Sequence, residues 1–426
     1  MEHFKIQFFS ANQFGGILDI GYTIEQSEII FDFLHVFNAN FDTLKQQISI
    51  DYKHKNTDEF QARLQKFITK YKDILPQIQQ LNSKFKSLKK DEWFFVLPSV
   101  ELNTKTKYEL EKELNILNNY RSDVSEEKVL EIFGCIMNNY ELITFNLDKN
   151  RKIKIGEDNR DKRVCRFCGK KKPKVKFKKE AHAISEALGN KKLILNEECD
   201  DCNEFFDENI ERDFINYHDL TRTMFGIKNK DNNFPKMKGK NFEFFKDKNN
   251  NQLSIAIIKD SDKEITDKPP ENIIFKTGNT IKIQNIYKAL CKFALSVIDT
   301  KYIIHFKDTI KWLKNEKVIE KLPKIAVWHS YKFFTKKPII TLYLRNNNNF
   351  DLPYLIGEFK FTYYMYIFIV PLSNQDKKDF LKDEDYQNYL KCFKQVTSIS
   401  EFNFVDFSQN IERELNFNIN FEQRKD

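Results

Sequence analysis

Four cysteines in two tight pairs, Cys165-x-x-Cys168 and Cys199-x-x-Cys202, are the residues in this chain best spaced for chemistry. Two such pairs are the expected ligand set for one tetrahedral zinc ion, each folding as a knuckle around its sulfurs. In a short segment with little core of its own, the metal supplies folding free energy directly. One histidine, His182, lies between the pairs, in Lys179-Glu180-Ala181-His182-Ala183-Ile184-Ser185-Glu186-Ala187-Leu188-Gly189-Asn190, and Asn203 follows the last cysteine at once. An unperturbed imidazole titrates near neutral pH, which suits a general base. The stretch therefore reads as a structural zinc site with a titratable group set inside it.

Elements must hold these residues in place. Lys174-Val175-Lys176-Phe177-Lys178 alternates polar and apolar, so it predicts a strand that ends at His182. Ser185 to Leu188 allows one helical turn, stopped by Gly189 in a left-handed conformation. Leu193-Ile194-Leu195 predicts the return strand. A helix follows with Asp200 or Asp201 near its start, and with Phe205, Phe206, Ile210 and Phe214 on one face. Strand, strand and helix pinned by zinc make a ββα arrangement.

In order and spacing, the CxxC-Gly, the histidine ahead of Ser-Glu-Ala-Leu-Gly, and the CxxC-Asn resemble the zinc-stapled HNH endonucleases, which use the ββα-metal fold. The resemblance covers about fifty of 426 residues. It implies a general base at His182, which would deprotonate the water that attacks phosphorus. It implies a divalent cation, Mg2+ or Mn2+, held near Asn203. It also implies a middle asparagine that braces the loop bearing the base, a role we place at Asn196 with Asn190 as the rival. Many members carry an acidic metal ligand immediately before the histidine. Here that residue is Ala181, Glu180 is one position off, and Asp207 or Glu208 from the helix, or a water, could complete the shell.

Charge is distributed to match. Between Arg151 and Lys179 there are fourteen basic residues and three acidic ones, whereas Glu180 to Asp213 carries eleven acidic and three basic. A basic arm attracts a polyanion and an acidic pocket holds a cation. Seven lysines, Lys170, Lys171, Lys172, Lys174, Lys176, Lys178 and Lys179, are the expected phosphate contacts. The expected function is metal-dependent hydrolysis of DNA, and the residues do not exclude RNA. The rival reading is a zinc module without catalysis that binds nucleic acid or protein.

The rest of the chain is long enough for two or three domains, and its net charge of +8 permits nucleic-acid binding without requiring it. We expect an α+β multidomain chain with the central zinc-bound ββα-metal module between two mixed α/β regions of unassigned fold. Residues 1–147 form the first region, 148–163 a polar linker, 164–220 the module, 228–241 a second linker and 242–426 the C-terminal region. In the first region, Phe4–Phe9 and Ile17–Tyr22 predict strands joined at Gly15-Gly16. A helix over 58–88 is kinked or divided by Pro76, and another begins at Ser125. In the last region Leu253–Ile258, Ile339–Leu344 and Phe359–Ile369 predict strands, and Ile286–Ile298 an apolar helix.

Cys135, Cys291 and Cys392 read as small buried hydrophobes. An odd cysteine count and an N-terminus without a signal peptide predict a cytoplasmic protein, and the longest apolar run, Phe361 to Leu372, is too short to span a bilayer. A module set between two large regions suggests cleavage gated by those regions, which would sense a trigger or bind a partner, as in a prokaryotic antiphage or mobile-element defence effector. A homodimer is a further option, because HNH enzymes that nick one strand often pair to cut both.

Overall fold

The computed structural model describes residues 2–10, 13–23, 25, 27–42, 47–75, 78, 81, 85, 88–98, 102, 104–118, 126–144, 152–228, 233–246, 253–257, 272–331, 334–397 and 401–420. It divides into two compact units, 1–129 and 130–426. The division falls ahead of the 148–163 stretch read as a linker. The fold is α+β throughout, with several small sheets and helices packed on them.

The first unit is built on an antiparallel sheet in the order Gln13–Tyr22, Glu2–Ser10, Trp93–Pro98, Lys53–Lys55. Gly15 and Gly16 lie inside the second strand of the chain rather than at its turn, with Gly16 opposite Phe8. Helix Asp58–Tyr71 starts where Thr57 accepts a hydrogen bond from the Phe60 N–H, and its acidic first turn complements the helix dipole. It ends at Tyr71, and Leu81 and Phe85 are helical again, as expected of a helix divided before 88; Pro76 itself lies outside the described residues. Phe8, Phe33, Phe37, Phe60, Phe85 and Phe94 interlock through edge-to-face and tilted ring contacts in one core. The other predicted helix runs Glu126–Asn139, and Ser125 is outside the described residues.

The second unit centres on helix Ile283–Val297, in which every residue from Gln284 to Val297 is buried. A helix enclosed on all sides must be packed on all sides. One flank meets a six-stranded antiparallel sheet ordered Asn403–Val405, Ile325–His329, Tyr364–Ile369, Leu355–Thr362, Thr335–Arg345, Tyr140–Thr144. Phe359–Ile369, read as one strand, is two, because the chain turns at Thr362 with a φ of 55°. The other flank meets the cysteine segment, whose apolar residues belong to the same core as the helix.

Both polar stretches read as linkers contain strand. Ile153–Ile155 runs parallel to Leu193–Leu195, and Lys236–Lys238 opens a three-stranded sheet with Phe242–Lys246 and Leu253–Ile257. Lysine-rich composition hid both. Within the first stretch Gly156 has a φ of 85°, and a Cβ there would stand 2.5 Å from the Glu197 side chain, so only glycine fits. Cys135 and Cys392 are not isolated hydrophobes: Cys135 is exposed and the two form a disulfide, because the helices that carry them meet although 257 residues separate them. Cys291 is buried as expected. No described helix is long and apolar enough to cross a membrane.

Candidate active site

The four cysteine sulfurs lie within 4.8 Å of one another, and among the described residues this is the single group of three or more His, Cys, Asp or Glu ligand atoms so clustered. A zinc–sulfur bond of about 2.3 Å sets tetrahedral edges of about 3.8 Å. The sulfurs of Cys168 and Cys199 are 3.8 Å apart. The Cys199 N–H donates to Cys165 Sγ at 3.5 Å, tying the second knuckle to the first. Hydrogen bonds from Cys165 and Cys202 hold the Cys199 thiol well below its usual range, while the same crowding pushes Cys202 up. Four sulfurs brought together with one already favouring thiolate fit a zinc ion.

From the second knuckle a helix runs Asp200–Phe206, opens into a π-turn over Asp207–Glu211 and continues as Arg212–Tyr217. Asp200, in its first turn, accepts the N–H groups of Lys178 and Lys179 at 2.9 Å each, and its own N–H donates to the Lys176 carbonyl. The predicted strand over Lys174–Lys178 is absent: these residues are spent on the helix start rather than on a ladder. The strand partner of Leu193–Leu195 lies further on. Ala183 N–H donates to Leu193 O and Leu195 N–H to Ala181 O, which sets His182 opposite Ile194. Of the ββα order the return strand and the helix are present, and the first strand is reduced to the single His182–Ile194 bridge.

This pairing points the Ala181 side chain into the core, where it is 2% exposed, and turns the His182 ring outward. His182 Nε2 lies 3.5 Å from a Glu186 carboxylate oxygen, and Nδ1 is buried without a hydrogen-bond partner. Burial lowers the His182 pKa below the usual 6.5, only partly opposed by Glu186 and Glu180. The imidazole is thus neutral at physiological pH and free to take a proton. Glu180 is engaged by Lys152 at 2.5 Å.

The loop between the two strands is held by Asn190, not by Asn196. Asn190 Nδ2 donates to the carbonyls of Ile184 (2.7 Å) and Leu193 (3.1 Å), and its Oδ1 accepts the N–H groups of Lys192 and Leu193. The 3-10 turn Glu186–Leu188 ends as predicted at Gly189, φ 88°. Asn196 instead donates to Asp158, on the far side of the return strand. Asn203 sits in the first turn of the helix and is half-buried. Asp207 lies on the side of Lys179, whereas Glu208 lines a separate polar cavity with Arg212 and Asp213.

Residues 165–218 match the HNH endonuclease family model. No curated protein and no solved structure matches the chain. The HNH segment ends at His218, which is buried against Tyr366 at 3.0 Å and belongs to the aromatic core. All seven lysines of the basic run are exposed, Lys172 paired with Asp161 and Lys179 with Glu204.

The structure adds partners to the HNH segment that its sequence does not announce. Arg166, inside the first knuckle, donates to the carbonyls of Leu295 and Ile298 and to Glu197, capping the central helix. From the same helix, Lys292 reaches Glu211 at 2.7 Å, Glu198 at 3.3 Å and the His182 carbonyl at 3.3 Å. Burial opposes the Lys292 charge, yet Glu198 and Glu211 together hold its pKa above the usual lysine value. Burial also pushes the Glu198 carboxyl up to about 7. Only the i,i+4 spacing of His182 and Glu186 was available to sequence reasoning; nothing local to Lys292 marks it.

Proposed function

We propose that the chain is a metal-dependent endonuclease in which His182 is the general base for hydrolysis of phosphodiester bonds in DNA. The observation that carries this is the His182 ring: outward-facing on the strand pair, held neutral by burial, and beside the Glu186 carboxylate within the HNH segment. A neutral imidazole accepts the proton of the attacking water as the O–P bond forms, and the 3'-oxygen leaves as the opposite bond breaks. Glu186 stabilises the imidazolium so produced.

Ala181 cannot supply the acidic ligand. Magnesium keeps several waters and is commonly held by one or two carboxylates plus substrate phosphate, so a cage of three protein carboxylates is not needed. The Asn203 amide oxygen, with Asp207 one turn further along the same helical run, would hold Mg2+ or Mn2+. When bound, the ion would stabilise charge on the phosphate and the leaving oxygen. Asn190 takes over the bracing role expected of Asn196. The exposed lysines would lie along the phosphate backbone, placing the duplex without reading its sequence.

The alternative of a zinc module without catalysis draws on one observation, that the described residues assemble no carboxylate cluster beside His182. A cleavage panel of duplex DNA, single strands and RNA, with magnesium or manganese and a His182→Ala control, separates the two. The nuclease reading expects His182→Ala to lower cleavage about 100-fold or more with zinc retained. Equal cleavage by both proteins sinks it.

Gating of the site, as in an antiphage effector, and pairing of two copies belong to the same proposal. Their test needs the full chain, since a 150–220 fragment would lose Lys292 and the Arg166 anchor. A full chain that cuts vigorously with no trigger removes the gating.

A further inference from the structure

We propose that Lys292, on the central helix and outside the HNH segment, is a positioning residue for the general base. The inference rests on the role assigned to His182, and its geometry comes from how an antiparallel pair uses its backbone. Hydrogen bonds on either side of the His182–Ile194 pair, from Ala183 and from Leu195, leave the N–H and C=O of His182 directed away from the partner strand. A buried carbonyl without a donor is costly. The Lys292 ammonium supplies that donor at 3.3 Å, and its side chain is 1% exposed.

The ammonium is itself aimed. Glu211 holds it at 2.7 Å and Glu198 at 3.3 Å. Glu211 reaches inward from the π-turn, which seats both Ile210 and Glu211 in the core. Such a turn frees carbonyls from the helical ladder. Two of them are recovered by side chains, Phe205 O by Asn209 at 2.9 Å and Asn209 O by Asn285 at 2.7 Å. Asn285 and Lys292 stand seven residues apart on one face of the central helix, so a single face satisfies the π-turn and grips the base strand. The HNH helix, the second knuckle and the backbone of His182 thus converge on one cation from a distant element. The backbone of His182 is thereby fixed, while Nε2 keeps its place beside Glu186.

The test compares full-length wild type with Lys292→Met and with the triple variant Lys292→Met, Glu198→Gln, Glu211→Gln. The triple leaves no charge in this cluster, and replacing a buried ion triad as a whole is often neutral for stability. With zinc content and melting temperature kept, kcat on duplex DNA should fall roughly 10- to 100-fold while KM stays within about twofold, as expected for a misplaced base. In histidine-labelled protein, the His182 ring resonance, assigned by its loss in His182→Ala, should shift in the variants. A zinc-bound triple variant with wild-type kcat overturns the proposal, and so does one that loses its zinc, because the ammonium would then hold the fold rather than the base. If wild type cuts no better than His182→Ala, the nuclease reading falls, and an unmoved His182 resonance then sinks the positioning role separately.

Discussion

The two knuckles and the strand pair bearing His182 are neighbours, yet they are stabilised in opposite ways. The knuckles draw their metal ligands from Cys165–Cys202 alone: four sulfurs, their turns, and an N–H directed at a sulfur. The His182 strand pair borrows from the whole second unit. Its loop is tied by Asn190, its approach by Asp200, and its outward carbonyl by Lys292, 110 residues away. A metal site can be written locally because coordination bonds are strong and few. A base that must remain neutral and partly exposed has to be held by its surroundings.

The comparison breaks most visibly at a cysteine. Cys199→Ser removes a ligand that both heads the helix and meets the other knuckle, and structural zinc contributes about 10 kcal/mol or more to folding. Bound zinc measured by atomic absorption should vanish, and cleavage should drop to background. Amide exchange should show residues 152–218 opened while the sheet of 1–98 stays protected. A variant that keeps both zinc and activity would mean that three cysteines suffice.

The same contrast explains what was legible in the sequence. Cysteine spacing, the Gly189 stop and the helix start at Asp200 are local signals, and each stands where expected. The strand placed at Lys174–Lys178 failed because alternation cannot reveal that those N–H groups and carbonyls are taken by Asp200. Ile153–Ile155 was hidden by charged neighbours, since a three-residue strand leaves almost no periodicity. Arg166 and Lys292 look like ordinary surface cations until the central helix is packed against the cysteine segment. The Cys135–Cys392 bond is equally invisible, because sequence separation carries no sign of it.

A smaller perturbation asks which asparagine serves the base. Asn190 is 2% exposed and makes four hydrogen bonds, so Asn190→Ala strands several backbone groups and should cost about 2–3 kcal/mol. Asn196→Ala removes one side-chain hydrogen bond to Asp158 and should cost about 1 kcal/mol. With zinc retained, kcat should fall about tenfold or more in the first and less than about threefold in the second. The reverse order would return the bracing role to Asn196.

The pH profile probes the environment of His182 without changing its partners. Because burial lowers its pKa, the neutral base persists in mildly acidic solution. The acid limb of kcat/KM should therefore have its midpoint below 6.5, the usual value for histidine. Glu186 is the largest influence raising that pKa, so Glu186→Gln should move the midpoint further to acid besides slowing the reaction. The linkage runs the same way for stability. A histidine whose folded pKa is depressed stabilises the fold above its unfolded value and loses that contribution as pH falls, so acid should weaken the HNH segment as it silences it. A limb centred above 6.5 would place a different group in control.

The gentlest change touches neither zinc nor base. Lys174, Lys176 and Lys178 are exposed on the segment that leads to His182, whereas Lys172 and Lys179 already face Asp161 and Glu204. Replacing the three by Gln should leave stability within about 0.5 kcal/mol, as for most surface sites. Affinity for duplex DNA should weaken alike for unrelated sequences, since phosphate contacts carry no base information. In a plot of log K against log salt, each phosphate no longer neutralised should flatten the slope by about 0.9, up to about 2.7 for all three. Turnover at saturating DNA should hold, because the lysines place the duplex and His182 does the chemistry. An unchanged slope would make the basic run a solvated surface, and the DNA path would have to be sought on another face of the HNH segment.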